Sequence, residues 1–93
     1  TEEPIEEPIA DSAGLSGVLR GVGELAWASG DFEAARIALE NSLAMAQRMA
    51  DERCIAGALQ GLGATLQSQG AFDEARVRLE EALTRYRALG DYS

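Results

Sequence analysis

The sequence predicts an all-α fold, an α-solenoid of two helical hairpins, and three observations support this prediction. The chain repeats itself at a spacing of 40 residues. Within each copy, apolar residues recur at intervals of three and four, which is the spacing of one face of an α-helix. A glycine divides each copy into two such segments. Internal repeats of this length are typical of stacked helical arrays.

The repeat is visible as identical residues between 21–43 and 61–83. The identical pairs are Gly21/Gly61, Gly23/Gly63, Gly30/Gly70, Phe32/Phe72, Ala35/Ala75, Arg36/Arg76, Leu39/Leu79, Glu40/Glu80 and Leu43/Leu83. We expect a two-repeat domain over residues 12–93, with repeats at about 12–50 and 51–90.

Residues 1–11 differ in composition and are expected to form a disordered acidic linker. They contain Glu-Glu-Pro-Ile twice, and a segment so rich in charge and proline cannot bury a core. The alternative is that this segment is a short extended ligand for a groove of the same or a neighbouring molecule.

Four helices are expected. They are α1 from about Ser12 to Ser29, α2 from Phe32 to about Ala50, α3 from Asp51 to about Gln69, and α4 from Phe72 to about Leu89. Aspartates are expected to cap helix starts and glycines to end helices; the residues concerned are Asp31, Asp51, Gly30, Gly70 and Gly90.

Each helix has an apolar stripe that we expect to face inward. The stripes are Leu15, Val18, Leu19, Val22 and Ala26 in α1; Phe32, Ala35, Leu39, Leu43 and Ala46 in α2; Ile55, Ala58, Leu59, Leu62 and Leu66 in α3; and Phe72, Ala75, Leu79, Ala82, Leu83 and Tyr86 in α4. The flank of α2 at Ala34, Ala38, Asn41 and Met45 becomes Glu74, Arg78, Glu81 and Arg85 in α4. This change suggests that α4 is a polar cap.

Composition excludes several kinds of function. Sixteen acidic residues oppose eight arginines, and nucleic acid binding requires a basic surface. The chain has no histidine and one cysteine, so we expect no metal site, no cofactor and no catalytic centre. A lowered pKa from the start of α3 is conceivable for Cys54. No apolar run is long enough to cross a membrane, and a cytoplasmic location is expected.

A motif recurs once in each repeat and resembles the tetratricopeptide pattern. The residues that carry it are Leu19, Val22, Gly23, Ala26, Ala35 and Leu39, and then Leu59, Leu62, Gly63, Leu66, Ala75 and Leu79. The period is 40 residues rather than the usual length of about 34. Longer repeats of this kind resemble those of bacterial LuxR-type and signal-transduction ATPase regulators. HEAT repeats share the length but do not predict small residues at Gly23 and Ala35.

The resemblance implies a non-catalytic module that binds a protein or peptide within a larger bacterial regulatory protein. It implies peptide contacts on the concave face, formed by the first helix of each hairpin. The matching positions are Gly17, Arg20, Glu24, Trp27, Gln60, Ala64 and Gln67. Structural roles are expected for Gly23, Ala35, Gly63 and Ala75, where helices must approach closely.

Some alternatives stay open at this stage. Trp27 is either an exposed binding residue or is folded over Phe32 or under the acidic tail. Arg20 and Glu24 have the spacing of an ordinary ion pair within one helix. The whole chain is alternatively a spacer, an accessory domain of an enzyme, or a homodimer formed through the outer face of α1 near Leu25.

Overall fold

Four antiparallel helices form the part of the chain that the structure describes. The structure, a computed structural model, describes the backbone of residues 8–90 and the side chains of residues 14–90. The helices are α1 Pro8–Ala28, α2 Phe32–Met49, α3 Glu52–Ser68 and α4 Phe72–Leu89, and these residues include no strand. The predicted all-α class and the two helical hairpins are confirmed.

The start of α1 differs from the prediction. The helix begins at Pro8 rather than near Ser12, and proline is favoured at the first helical position because its missing N–H is not needed there. Residues 1–7 of the expected linker, its alternative role as a ligand, and residues 91–93 lie outside the described residues.

The turns between helices follow from capping residues. Gly30, Gly70 and Gly90 adopt φ values of 86°, 85° and 80°, which glycine tolerates better than any other residue. Ala50 ends α2 in the same left-handed region, at φ 55°. Asp31 accepts a hydrogen bond from the Ala34 N–H at 3.2 Å. These residues account for the ends of the four helices and for the start of α2.

The core lies where α2 and α3 meet. Helix α2 packs between α1 and α3, and α3 packs between α2 and α4. The apolar stripe predicted for α3 is fully buried, and so is that of α2 apart from the half-buried Phe32. The central cluster consists of Leu39, Leu43, Ala46, Ile55, Ala58, Leu59, Leu62 and Ala82.

The inward face predicted for α1 is only partly correct, because Leu19 and Ala26 are half-buried but the other three residues of the stripe are exposed. Leu15, Val18 and Val22 are 45%, 60% and 49% exposed. The face that packs on α2 includes Ser16 and Gly23 instead. The Ser16 hydroxyl donates to the Ser42 carbonyl at 3.0 Å, and the Ser42 hydroxyl donates to the Ser16 carbonyl at 2.9 Å. The two buried serines belong to no apolar stripe, so the periodicity of the sequence does not predict that they are buried.

The inward stripe of α4 is only partly correct. Ala75 and Ala82 are buried, but Phe72 and Leu83 are 65% and 40% exposed. The proposed polar cap is also wrong, because Arg85 forms an ion pair with Glu52 of α3 at 2.7 Å. The Arg85 end of the charged flank therefore lies beside α3. The groove along the outer side of α4 combines apolar residues such as Leu79 and Leu83 with the charged Arg76 and Glu80.

Two glycines allow close contact within the hairpins. A Cβ atom added at Gly23 would lie 2.7 Å from Leu39 Cγ, and one added at Gly63 would lie 2.5 Å from Leu79 Cγ. Ala35 and Ala75, across these contacts, are 0% and 3% exposed. A larger side chain at any of these positions would push the two helices of a hairpin apart.

Candidate functional site

A groove of about 270 Å³ runs between α1 and α3 on the face formed by the first helix of each hairpin. Its residues come from three helices: they are Glu24, Trp27, Leu39, Gly57, Gln60, Gly61, Ala64 and Thr65. Leu39 of α2 is almost fully buried. The groove is thus formed where the two hairpins meet.

Small residues on α3 create the space. Gly57, Gly61 and Ala64 contribute one methyl group between them. A Cβ atom at Gly61 would lie 2.9 Å from Leu39 Cδ2, so the helix backbone approaches the core directly at this point. The groove therefore exposes mainly backbone and apolar surface on the α3 side.

Trp27 is held at the other side of the groove. Its indole Nε1–H donates a hydrogen bond to the Ser68 hydroxyl at 3.0 Å, which joins the end of α1 to the end of α3. The side chain is still 42% exposed. An aromatic ring fixed by its polar atom offers an apolar face without losing much conformational freedom on binding.

Arg20 and Glu24 supply the charges near the groove. The Arg20 Nε lies 3.8 Å from Glu24 Oε2, so the expected ion pair within α1 is formed. The Arg20 guanidinium also packs against Gly57, where a Cβ atom would collide with Nη1. Among the described residues, its Nε has no hydrogen-bond partner and is shielded from solvent.

The structure brings together four of the seven residues predicted for the concave face. Glu24, Trp27, Gln60 and Ala64 line the groove, and the Gln60 Oε1 accepts a hydrogen bond from Tyr86 at 3.3 Å. Arg20 lies beside it.

Two of the predicted residues lie elsewhere. Gly17 is exposed, with no atom near its added Cβ, and Gln67 lines a different groove beside α4. The sequence analysis missed Leu39, Gly61, Thr65 and Ser68. Ser68 has no signal in the sequence, but Gly61 lies one turn from Gly57 and Ala64 and could have been found as part of a row of small residues.

Cys54 has a raised pKa, contrary to the lowered value considered from the sequence. Burial is the main cause, and the hydrogen bond to Asp51 and the negative charge of Asp51 raise the pKa further, against a small opposite effect of Arg20. The Cys54 Sγ lies 3.3 Å from Asp51 Oδ2. The thiol is therefore a weak nucleophile.

The described residues contain no group of three acidic, histidine or cysteine side chains suited to hold a metal ion. Of the helices in residues 8–90, none combines the length and apolar composition needed to cross a bilayer.

Comparison with known proteins gives one positive result. The sequence profile of the tetratricopeptide repeat matches residues 14–88, which include both hairpins. The chain has no significant match among curated protein sequences or among solved structures. The match covers most of the chain and includes both antiparallel hairpins. The chain therefore belongs to the tetratricopeptide repeat family.

Proposed function

We propose that this chain is a non-catalytic binding module that holds an extended peptide segment of a partner protein in the groove between α1 and α3. Tetratricopeptide repeats generally mediate protein–protein interaction, which supports the class of function. We further propose a place in a larger bacterial regulatory protein, as the 40-residue period suggests. The single cysteine fits a reducing compartment and supports a proposed cytoplasmic location.

The fixed indole of Trp27 is the observation that supports this site most strongly. Tryptophan is enriched among the residues that dominate binding energy, especially beside pockets that exclude water. Here the ring lies opposite the small residues of α3, so an apolar side chain of the ligand can pack on both. The groove of about 270 Å³ suits one such side chain.

The polar groups beside the groove suggest how the rest of the peptide is held. The Gln60 amide and the Glu24 carboxylate lie at the groove, and Glu24 is 64% exposed. Its ion pair with Arg20 is long, at 3.8 Å, so the exposed carboxylate of Glu24 can still bind a positively charged group of the ligand next to the apolar side chain. We therefore propose a ligand that combines one apolar anchor with a neighbouring base.

Selection of peptides from a random library on the intact chain, followed by calorimetry, tests this proposal. Trp27→Ala removes the aromatic face, and Ala64→Arg fills the groove. Each should weaken binding by about tenfold or more, as expected for loss of a central contact. Ala44→Arg is the matched control, since Ala44 is exposed on α2 and does not line the groove.

The proposal fails if selected peptides bind Ala64→Arg as tightly as the unchanged chain. It also fails if Ala44→Arg weakens binding equally, because the effect would then come from added charge rather than from filling the groove.

A further inference from the structure

The 40-residue repeat allows the two hairpins to be compared position by position. The contact between α3 and α2 is a template for how the first helix of one hairpin packs on the second helix of the hairpin before it. In the template, α3 packs on α2 through Ile55, Ala58, Leu62 and Thr65, all of which are at most 4% exposed. The equivalent positions of α1 hold Leu15, Val18, Val22 and Leu25, which are 45%, 60%, 49% and 71% exposed. Helix α1 thus has the same apolar face as α3, but no described helix covers it.

Gly21 indicates that the uncovered face of α1 suits a closely packed helix. Its equivalent, Gly61, lies so close to α2 that an added Cβ would be 2.9 Å from Leu39 Cδ2. Gly21 has no atom within 4 Å of its added Cβ. A glycine within a helix costs about 1 kcal/mol relative to alanine, and the described contacts do not offset this cost. A helix that packed on α1 as closely as α2 packs on α3 would require glycine at this position.

The other end of the molecule has the complementary surface. A groove of about 320 Å³ runs along α4. Its lining residues are Gln67, Phe72, Ala75, Arg76, Leu79, Glu80 and Leu83. The equivalent surface of α2 is covered by α3: Leu43 is 8% exposed, whereas its equivalent Leu83 is 40% exposed.

We propose that a second copy of this chain docks its α1 into the α4 groove, in the way that α3 packs on α2, so that copies stack head to tail. In this arrangement Leu79 of one copy packs against Gly21 of the next, as Leu39 packs against Gly61. The α1 face and the α4 groove of one chain occupy the same repeat positions as the surfaces of α3 and α2 that pack together. A second copy of the chain therefore fits the α4 groove.

Charge does not oppose this contact. The face of α1 formed by Gly14, Leu15, Val18, Gly21, Val22 and Leu25 contains no charged residue. The α4 groove contains one positive and one negative side chain, Arg76 and Glu80. The charges of residues 14–90 are therefore not concentrated at either surface. Because the two surfaces differ, the contact is heterologous and the stack can grow from both ends.

Two variants of the full chain block the two surfaces separately. Val22→Glu places a charge on α1, and Leu83→Glu places one in the α4 groove. Val77→Glu is the matched control, because Val77 is 59% exposed on α4 but does not line the groove. Mass is measured by light scattering and sedimentation velocity over a concentration series, with circular dichroism to check each fold.

Head-to-tail stacking makes a specific prediction for mixtures. The unchanged chain and Val77→Glu should increase in mass with concentration, and each blocked variant alone should keep the 9.9 kDa mass of one chain. Mixing Val22→Glu with Leu83→Glu should give a complex of one copy of each and nothing larger. Restored assembly in the mixture also shows that both variants are folded.

Other results overturn the proposal. An unchanged chain that stays monomeric at millimolar concentration removes the second copy as occupant. A Leu83→Glu variant that still dimerises indicates contact between two α1 faces, and a Val22→Glu variant that still dimerises indicates contact between two α4 grooves. A mixture that does not assemble means that the two surfaces do not bind each other.

Discussion

Two glycines in α1, two positions apart, should respond in opposite ways to the same substitution. Gly21→Ala and Gly23→Ala each replace a glycine within a helix, and each should gain about 0.5–1 kcal/mol from the better helix propensity of alanine. At Gly21 the added methyl group meets no atom within 4 Å. Gly21→Ala should therefore stabilise the monomer by about that amount.

Gly23→Ala adds the same methyl group to a filled space. It would lie 2.7 Å from Leu39 Cγ and 3.3 Å from the Ala35 carbonyl oxygen, whereas carbon atoms in contact prefer about 3.5–4.0 Å. Leu39 is 1% exposed and is confined on its other side by Gly61. Overpacking of this kind costs about 1–3 kcal/mol.

The difference between the two variants isolates this packing penalty, because the propensity contribution is common to both. It should be about 1–3 kcal/mol, and 1 kcal/mol shifts Tm by about 4–8 °C in a domain of this size. Thermal and urea unfolding, followed by circular dichroism at low micromolar concentration, measures the difference without self-association. Variants that melt together would refute the close contact between α1 and α2.

Four further substitutions test three other features of the fold. Ser16→Ala and Ser42→Ala should each lower the free energy of unfolding by about 1 kcal/mol. The double variant should lose about the sum, because each hydroxyl donates to a main-chain carbonyl that the other substitution leaves in place. Urea unfolding of the three variants measures this, and a double variant that loses much less than the sum would mean that the contact between the two hydroxyls carries the stabilisation. Ala50→Gly should stabilise the chain by up to about 1 kcal/mol. The left-handed region costs a non-glycine residue about 1–2 kcal/mol, but glycine also makes the unfolded chain more flexible, which offsets part of the gain. An unchanged or lower Tm would argue against the left-handed turn. Asp51→Asn keeps a good helix cap but removes the charge that helps to raise the pKa of Cys54. The thiol should then react faster with iodoacetamide at pH 8, since more of it is ionised, and an unchanged rate would mean that burial alone controls its reactivity.

The sequence predicted most reliably where both neighbours of a helix belong to the same chain. Each helix start or end lies within one or two residues of the expected position, except the start of α1 at Pro8. The stripe of α3, which includes Leu59 and Leu66, is buried as predicted. Periodicity works here because every apolar position of α3 has a helix beside it.

The same periodicity failed at the two ends of the array. Val22 fits the α1 stripe, and Leu83 fits the α4 stripe, but both are exposed because no described helix covers them. An apolar stripe indicates that a residue suits an interface, and does not indicate which helix provides the other side. Ser16 shows the converse, since a polar residue is buried through its hydrogen bonds to Ser42.

The groove was predicted in part for a related reason. Trp27, Glu24 and Ala64 were found because the family places contacts at those positions. Leu39 was assigned to the inward stripe of α2, yet it also lines the groove. A residue that reaches two interfaces cannot be recognised from the periodicity of its own helix.

Leu39 also determines how the two hairpins depend on each other. Its side chain packs against α1 at Gly23 and against α3 at Gly61, so α2 cannot separate from either neighbouring helix without uncovering it. In a repeat array, such nearest-neighbour coupling makes adjacent units unfold together. At Leu79 only Gly63 provides the corresponding contact. Opening of a single molecule should therefore start from the α4 end and proceed toward Leu39, where the remaining structure is lost in one cooperative step.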